Sequence, residues 1–254
     1  ENVFVGINSG GGDWAGACNY NTGVGSYTLE ADDMTGAQFN VAVGQSALRR
    51  ITSGSYNVGL GFAAGDNITT GNNNVVIGYN SGGTMTTEDE MVLIGDSSGA
   101  AINDDAADGT VAVGYQSLTA LTASAGNTAI GYKAGTALVS GGNNTIVGYE
   151  AMSTSADNGN GGNTAIGYHS MKGVNVGSTG DGNVAIGKEA LYGGTSTGQS
   201  NVVIGSAACD HASSAQDNSV IIGAEACDAA LTAASDGTVA IGYQTLNAHT
   251  AAIG

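Results

Sequence analysis

The chain of 254 residues contains no proline, one tryptophan and only five basic residues. Without proline, its 44 glycines cannot belong to a collagen triple helix, which sets Gly at every third position beside abundant Pro. Five Lys and Arg against 22 acidic residues leave a net charge of −17. A nucleic-acid backbone or an anionic membrane surface would be repelled rather than bound. No run of about 18 apolar residues occurs, so no segment reads as a membrane-inserting helix. Three cysteines do not make a disulfide scaffold. The chain opens on Glu1 with neither an initiator Met nor a basic, apolar leader, and it closes on a strand at Gly254. The expectation is therefore a piece of a longer fibrous polypeptide.

The hydrophobic fraction of 41% excludes generic disorder. It consists mostly of Ala, Val and Ile, residues that build flat stacked layers. A short apolar motif ending in Gly recurs from NVFVG at Asn2–Gly6 to TAAIG at Thr250–Gly254. The closing glycines are Gly6, Gly25, Gly44, Gly61, Gly78, Gly95, Gly114, Gly131, Gly148, Gly167, Gly187, Gly205, Gly223, Gly242 and Gly254, spaced 17 to 20 residues apart except for a final gap of 12. Fifteen copies fill residues 1–254 as a single repeat domain. One short strand per copy at a fixed period is the mark of a solenoid, with coils stacked about 4.8 Å apart by parallel pairing. The expected fold is all-β, a parallel β-solenoid of about 15 coils.

Each coil can be read position by position. The residues one and three before the Gly, such as Thr128 and Ile130, share one face of the strand and are expected to form the inner core. Four before the Gly, ten copies carry Asn, expected as a stacked corner. The invariant Gly reads as a structural corner needing positive φ or close backbone approach. Three past it the residue is always small, and the next is Gly, Leu, Met or Cys. The rest of each coil, rich in Gly, Asn, Thr, Ser and Asp, reads as solvent loop.

On that reading the middle strand residue points away from the core. It is Val76, Leu93, Ala112, Ala129, Ile146, Ala165, Ala185, Val203, Ile221 or Ala240 in successive copies, and it is polar in none of the fifteen. An apolar strip of that length calls for a cover, so these positions are expected to form a subunit interface. Identical chains about a threefold axis would supply it, and a homotrimer is the expected partner arrangement.

The units NTAIGYKAG (Asn127–Gly135) and NVAIGKEAL (Asn183–Leu191) resemble the head repeat of trimeric autotransporter adhesins. The longer spacing, the Tyr after the Gly and linkers such as GGNNT at 141–145 resemble repeats of bacteriophage tail fibres still more. The resemblance implies a left-handed, homotrimeric β-roll with two short strands per coil. It also implies a non-enzymatic structural or adhesive role in a tail fibre, on a virion or cell surface outside the cell, attaching to a host-cell receptor. The alternative it carries is an adhesin head or another extracellular surface filament. The coil length departs from the adhesin repeat, which is shorter.

Side chains with chemical potential are few. Gly95–Gly99 matches G-x-S-x-G, but a nucleophile elbow needs a following helix, which the repeat does not offer. His169, His211 and His249 fall at different points of their coils and read as surface histidines; Cys209 and Cys227 fall at equivalent points of adjacent coils and read as buried hydrophobes. The acidic loops Glu88–Glu90 and Asn103–Asp108 offer oxygens for Ca²⁺ without the spacing of a known calcium loop; the bland reading is solvated loop, with no cofactor. Tyr115, Tyr132, Tyr149 and Tyr168, each just past a corner Gly, are candidate contacts for a receptor glycan, against the plainer reading that they stack on one another. An ice-binding solenoid would need an outward Thr array, and Thr128, Thr145 and Thr164 are placed inward by the reading above.

Overall fold

In the computed structural model, residues 1–154, 161–173, 181–193, 198–210, 217–227 and 236–246 are described. They form a parallel β-solenoid divided into two compact units, residues 1–127 and 128–254. In the first unit, seven three-residue strands lie side by side: Val3–Val5, Thr22–Val24, Val41–Val43, Val58–Leu60, Val75–Ile77, Val92–Ile94 and Val111–Val113. In the second the strands are Thr128–Ile130, Thr145–Val147, Thr164–Ile166, Val184–Ile186, Val202–Ile204, Val220–Ile222 and Val239–Ile241. Within each unit, each strand pairs in register with the next, one coil on, so equivalent residues stack: Val75 on Val92, Thr145 on Thr164, Ile186 on Ile204. Beside this ladder, Trp14–Ala15 pairs with Met34–Thr35. The one helical turn among the described residues is a 3₁₀ turn at Asp105–Ala107.

The corner Gly follows every strand, with φ between 123° at Gly44 and 142° at Gly6, a region closed to side chains. Space forbids a side chain as well. A Cβ on Gly78 would lie 2.4 Å from the carbonyl oxygen of Gly95, and one on Gly148 2.3 Å from that of Gly167. Both reasons given for the invariant Gly therefore hold.

The segment after the corner is not a second strand. Its second and fourth residues take positive φ whatever their type, as at Lys133 (53°), Glu150 (50°) and Met152 (51°). Coil-to-coil bonding continues through it nonetheless: the N–H of Glu150 donates to the carbonyl of Tyr132 (2.8 Å), and that of Met152 to the carbonyl of Ser170 (2.9 Å). That bonding holds side-chain-bearing residues in a conformation they otherwise avoid.

The Asn corner is a buried hydrogen-bonded column. Asn57 Oδ1 accepts from the backbone N–H of Asn74 (3.0 Å), while Asn57 Nδ2 donates to the carbonyl of Gly71 (2.8 Å). Asn21, Asn40, Asn183 and Asn201 take part in the same pattern. The amides of Asn21, Asn40, Asn57 and Asn183 thus each satisfy a backbone donor of the next coil and a carbonyl of the turn leading into it, while Asn163 Nδ2 is buried without a partner.

The remainder of the coil is not wholly solvent loop. Seven residues past the Gly, six consecutive copies carry Ile51, Ile68, Met85, Ile102, Leu121 and Leu138, all fully buried. The core of these six coils is closed from three sides: the strand, the small-residue turn and this third wall. Beside it, the N–H of Thr52 donates to the carbonyl of Thr69, and that of Thr69 to the carbonyl of Thr86, each at 2.8 Å.

The strand is oriented opposite to the sequence expectation. Val76, Leu93, Ala112, Ala129, Ile146, Ala165, Ala185, Val203, Ile221 and Ala240 are 0–3% exposed within the single chain. They line the interior of their own coil and are not free to form a subunit interface. The flanking positions expected inside face outward. The physical reason is volume. The turn and the third wall send Leu, Met and Ile inward, so the strand has room only for what they leave. A Cβ on Gly59 would come within 2.6 Å of Leu48 Cγ, and one on Gly99 within 2.9 Å of Leu93 Cδ2. Bulk inside the coil is shared between facing positions.

Candidate functional surface

Turning the strands over exposes a different face. Two columns run along each ladder: Val or Thr three before the corner Gly, and Val, Ile or Leu one before it. Leu60 is 44% exposed and Ile130 42%, and no residue in either column of the described strands is buried. The columns carry no charge in a chain of net charge −17. An array of half-exposed, mostly β-branched side chains at one rung spacing is an apolar surface that the described residues leave uncovered.

Thr128, Thr145 and Thr164 belong to this outward column, which corrects their inward placement. They do not make a regular hydroxyl array. The same column continues with Val184, Val202 and Val220, and the neighbouring one carries Ile130, Val147 and Ile166.

Aromatic ladders border the face. In the second unit, Tyr132 stacks on Tyr149 with centroids 4.8 Å apart, and Tyr149 on Tyr168 at 5.5 Å. In the first, Tyr20, Phe39 and Tyr56, each just before the Asn corner, stack at 4.9 Å. Phe62 and Tyr79 stack at 5.4 Å, and Tyr115 is partly exposed. Stacking occupies the ring faces, and the tyrosines stay partly exposed, 38% at Tyr132 and 46% at Tyr149. The stacking reading holds for Tyr132, Tyr149 and Tyr168.

His169 is not a plain surface residue. Its ring lies 3.8 Å from that of Tyr168 and 5.9 Å from that of Tyr192, and its Nε2 is 3.2 Å from Glu150 Oε2. Lys172 Nζ also bonds Glu150 Oε2. The bond to Lys172 holds the Glu150 carboxyl below the usual range, against the opposing effect of burial, and Glu150 raises Lys172 in turn. His211 and His249 lie outside the described residues, as does the strand end at Gly254.

Cys209 and Cys227 are buried and unbridged, as is Cys18. Contact with Cys227 and burial push the Cys209 thiol well up, so it is an inert core group rather than a nucleophile. At Gly95–Gly99 the strand runs into the small-residue turn; Ser97 Oγ bonds Asp96 Oδ1 (2.6 Å), and Ser98 Oγ donates to the carbonyl of Ala112 (2.8 Å). Among the described residues no group of three or more His, Cys, Asp or Glu side chains is placed to hold a metal, and no helix is long and apolar enough to cross a membrane.

The outward columns are what sequence reasoning missed, and a signal for them exists. The middle strand residue and the residue four past the Gly tend to exchange bulk: Phe4 with Gly10, Gly23 with Leu29, Leu93 with Gly99, Ala112 with Leu118, Ala165 with Met171. Such exchange marks two positions filling one cavity, as Phe4 shows directly, its ring lying 2.7 Å from where a Gly10 Cβ would stand. Comparison with protein-family models, with curated proteins and with solved structures gives no match to this chain.

Proposed function

We propose that the chain is a non-enzymatic structural and adhesive segment of an extracellular fibre, of the kind found in bacteriophage tail fibres. In this reading three identical chains cover one another's outward Val/Ile/Thr columns. The observation that carries it is the uncharged, half-exposed double column along each ladder.

A second copy of the chain is the occupant that fits. It presents the same columns at the same rung spacing, so contacts repeat coil after coil without slipping out of phase. A partner lacking that period would match only a rung or two. An uncharged strip also lets acidic chains meet with their carboxylates turned outward. The fibre's role is mechanical: parallel bonding along the ladder and burial of both strand faces make a stiff, protease-resistant spacer for host attachment. The adhesin head remains the alternative setting for the same physics. The exposed portions of the Tyr ladders are the part left for a receptor glycan.

Light scattering on the purified chain tests the assembly. A mass three times that of the chain is expected, and a stable monomer in dilute buffer would overturn the reading.

A further inference from the structure

Glu88 stands three residues before the Asn-column position of its coil, where the two preceding coils have Gly54 and Gly71. Its side chain is nevertheless taken inside and is 1% exposed. Glu88 Oε2 accepts the backbone N–H of Thr86 (2.5 Å) and of Thr87 (2.9 Å), while Oε1 is buried with no hydrogen-bond partner. Asp89 and Glu90 follow on the same loop, and the next coil brings Asp104, Asp105 and Asp108 around the 3₁₀ turn. Thr87 Oγ1 donates to Asp105 Oδ1, and the Asp89 N–H to Asp108 Oδ1 (2.8 Å), tying the two loops together. The preceding coil contributes Asn72 and Asn74, which are neutral. No Lys, Arg or His occurs between Arg50 and Lys133.

We infer that this crossing of two acidic loops is a proton-uptake site, with Glu88 neutral in the closed coil and the surrounding coils of the first unit tightened when it takes up its proton. A buried carboxylate is stabilised by hydrogen-bond donors, a partner cation, a metal or a proton, and here the N–H groups of Thr86 and Thr87 reach Oε2 while Oε1 has no partner. The sequence supplies no cation across these coils, and no third carboxylate converges with Glu88 to build a metal cage. The proton is what remains.

Burial pushes the Glu88 carboxyl above its ordinary value of 4.5, against the opposing backbone N–H groups of Glu88 itself, Thr86 and Thr87, with repulsion from Asp105 adding to the rise. Asp108 is raised too, by burial and then by Asp89, Asp105 and Glu90. A carboxyl raised in the folded state contributes stability that is complete below the unfolded value and is lost as pH rises through the folded one. Acidification should therefore strengthen this region.

The test is thermal melting of the full chain in EDTA at pH 8 and pH 5.5, for the native sequence, Glu88→Gln and Asp108→Asn. Glu88→Gln is expected to raise Tm at pH 8 by about 2–4 °C and to remove most of the native gain on acidification, with Asp108→Asn isolating its own share. If Glu88→Gln lowers Tm equally at both pH values, Glu88 is an ionised cap for Thr86 and Thr87 and the inference fails. It fails equally if CaCl₂ at pH 8 raises Tm in the native chain but not in Glu88→Gln, since a metal would then be the neutralising species. An NMR titration of the Glu88 carboxyl reads protonation directly, with a midpoint above that of free glutamate expected and one at or below it overturning the proposal.

Discussion

Ala129 and Ile130 are adjacent on one three-residue strand and face opposite ways: Ala129 is fully buried inside its coil, and Ile130 is 42% exposed. Every ladder strand repeats this arrangement, and it determines which substitutions should unfold the chain and which should act only on the proposed assembly.

Ile130→Lys, Val147→Lys and Ile166→Lys together place three charges on consecutive rungs of the outward column. On the proposed assembly, the chain should keep its far-ultraviolet circular dichroism and fall to the mass of one chain by light scattering. Ala165→Leu, one residue from Ile166, adds bulk to an interior already holding Met171. It should cost about 1–3 kcal/mol in urea unfolding.

Asn57→Ala removes the acceptor of the Asn74 N–H and the donor to the Gly71 carbonyl, both buried. Each orphaned group should cost about 1–3 kcal/mol. Asn57→Asp keeps the acceptor but buries a carboxylate facing Asn40 Oδ1 and the Gly71 carbonyl, so at neutral pH it should recover none of the loss, read as the urea midpoint.

Gly148→Ala meets both objections at once, a φ of 141° and a Cβ 2.3 Å from the Gly167 carbonyl oxygen. The backbone conformation alone costs about 1–3 kcal/mol. The close approach adds to it by parting two coils, so hydrogen exchange should rise most in the strands on either side of this corner.

Tyr149 has a stacked ring on each side. Tyr149→Ala should lower Tm, with the stacking worth about 0.5–1.5 kcal/mol beyond the area buried. Measured on a glycan array, unchanged binding by Tyr132→Ala and Tyr149→Ala chains would end the receptor role of these rings.

Glu150 responds to acid with the opposite sign from Glu88. Its carboxyl is held below the ordinary 4.5 by Lys172, so its contribution is present above that value and lost as pH falls through the lowered one. Glu150→Gln should therefore weaken the second unit at neutral pH and make little difference in strong acid, a loss kept small by partial solvent screening.

Much of this molecule is readable from the chain. The glycine interval gives the coil, the Asn column gives its hydrogen-bonded corner, and the small residue three past each Gly marks a buried turn, because each answers a local requirement of φ, hydrogen bonding or space. The third wall was hidden: Ile51, Ile68 and Met85 are single apolar residues among polar ones, with no local period of their own. The positive φ of Lys133 and Met152 was hidden as well, since neither side chain favours it and only bonding from neighbouring coils enforces it.

Alternation along a strand separates its residues into two faces but does not say which is inside. Here both faces are apolar, so hydrophobicity alone could not choose between Ala129 and Ile130. The sequence by itself determined the period, the parallel stacking and the corner. Only the tertiary structure decided the orientation of the strand, because that depends on how much interior volume Leu, Met and Ile from the rest of the coil have already filled.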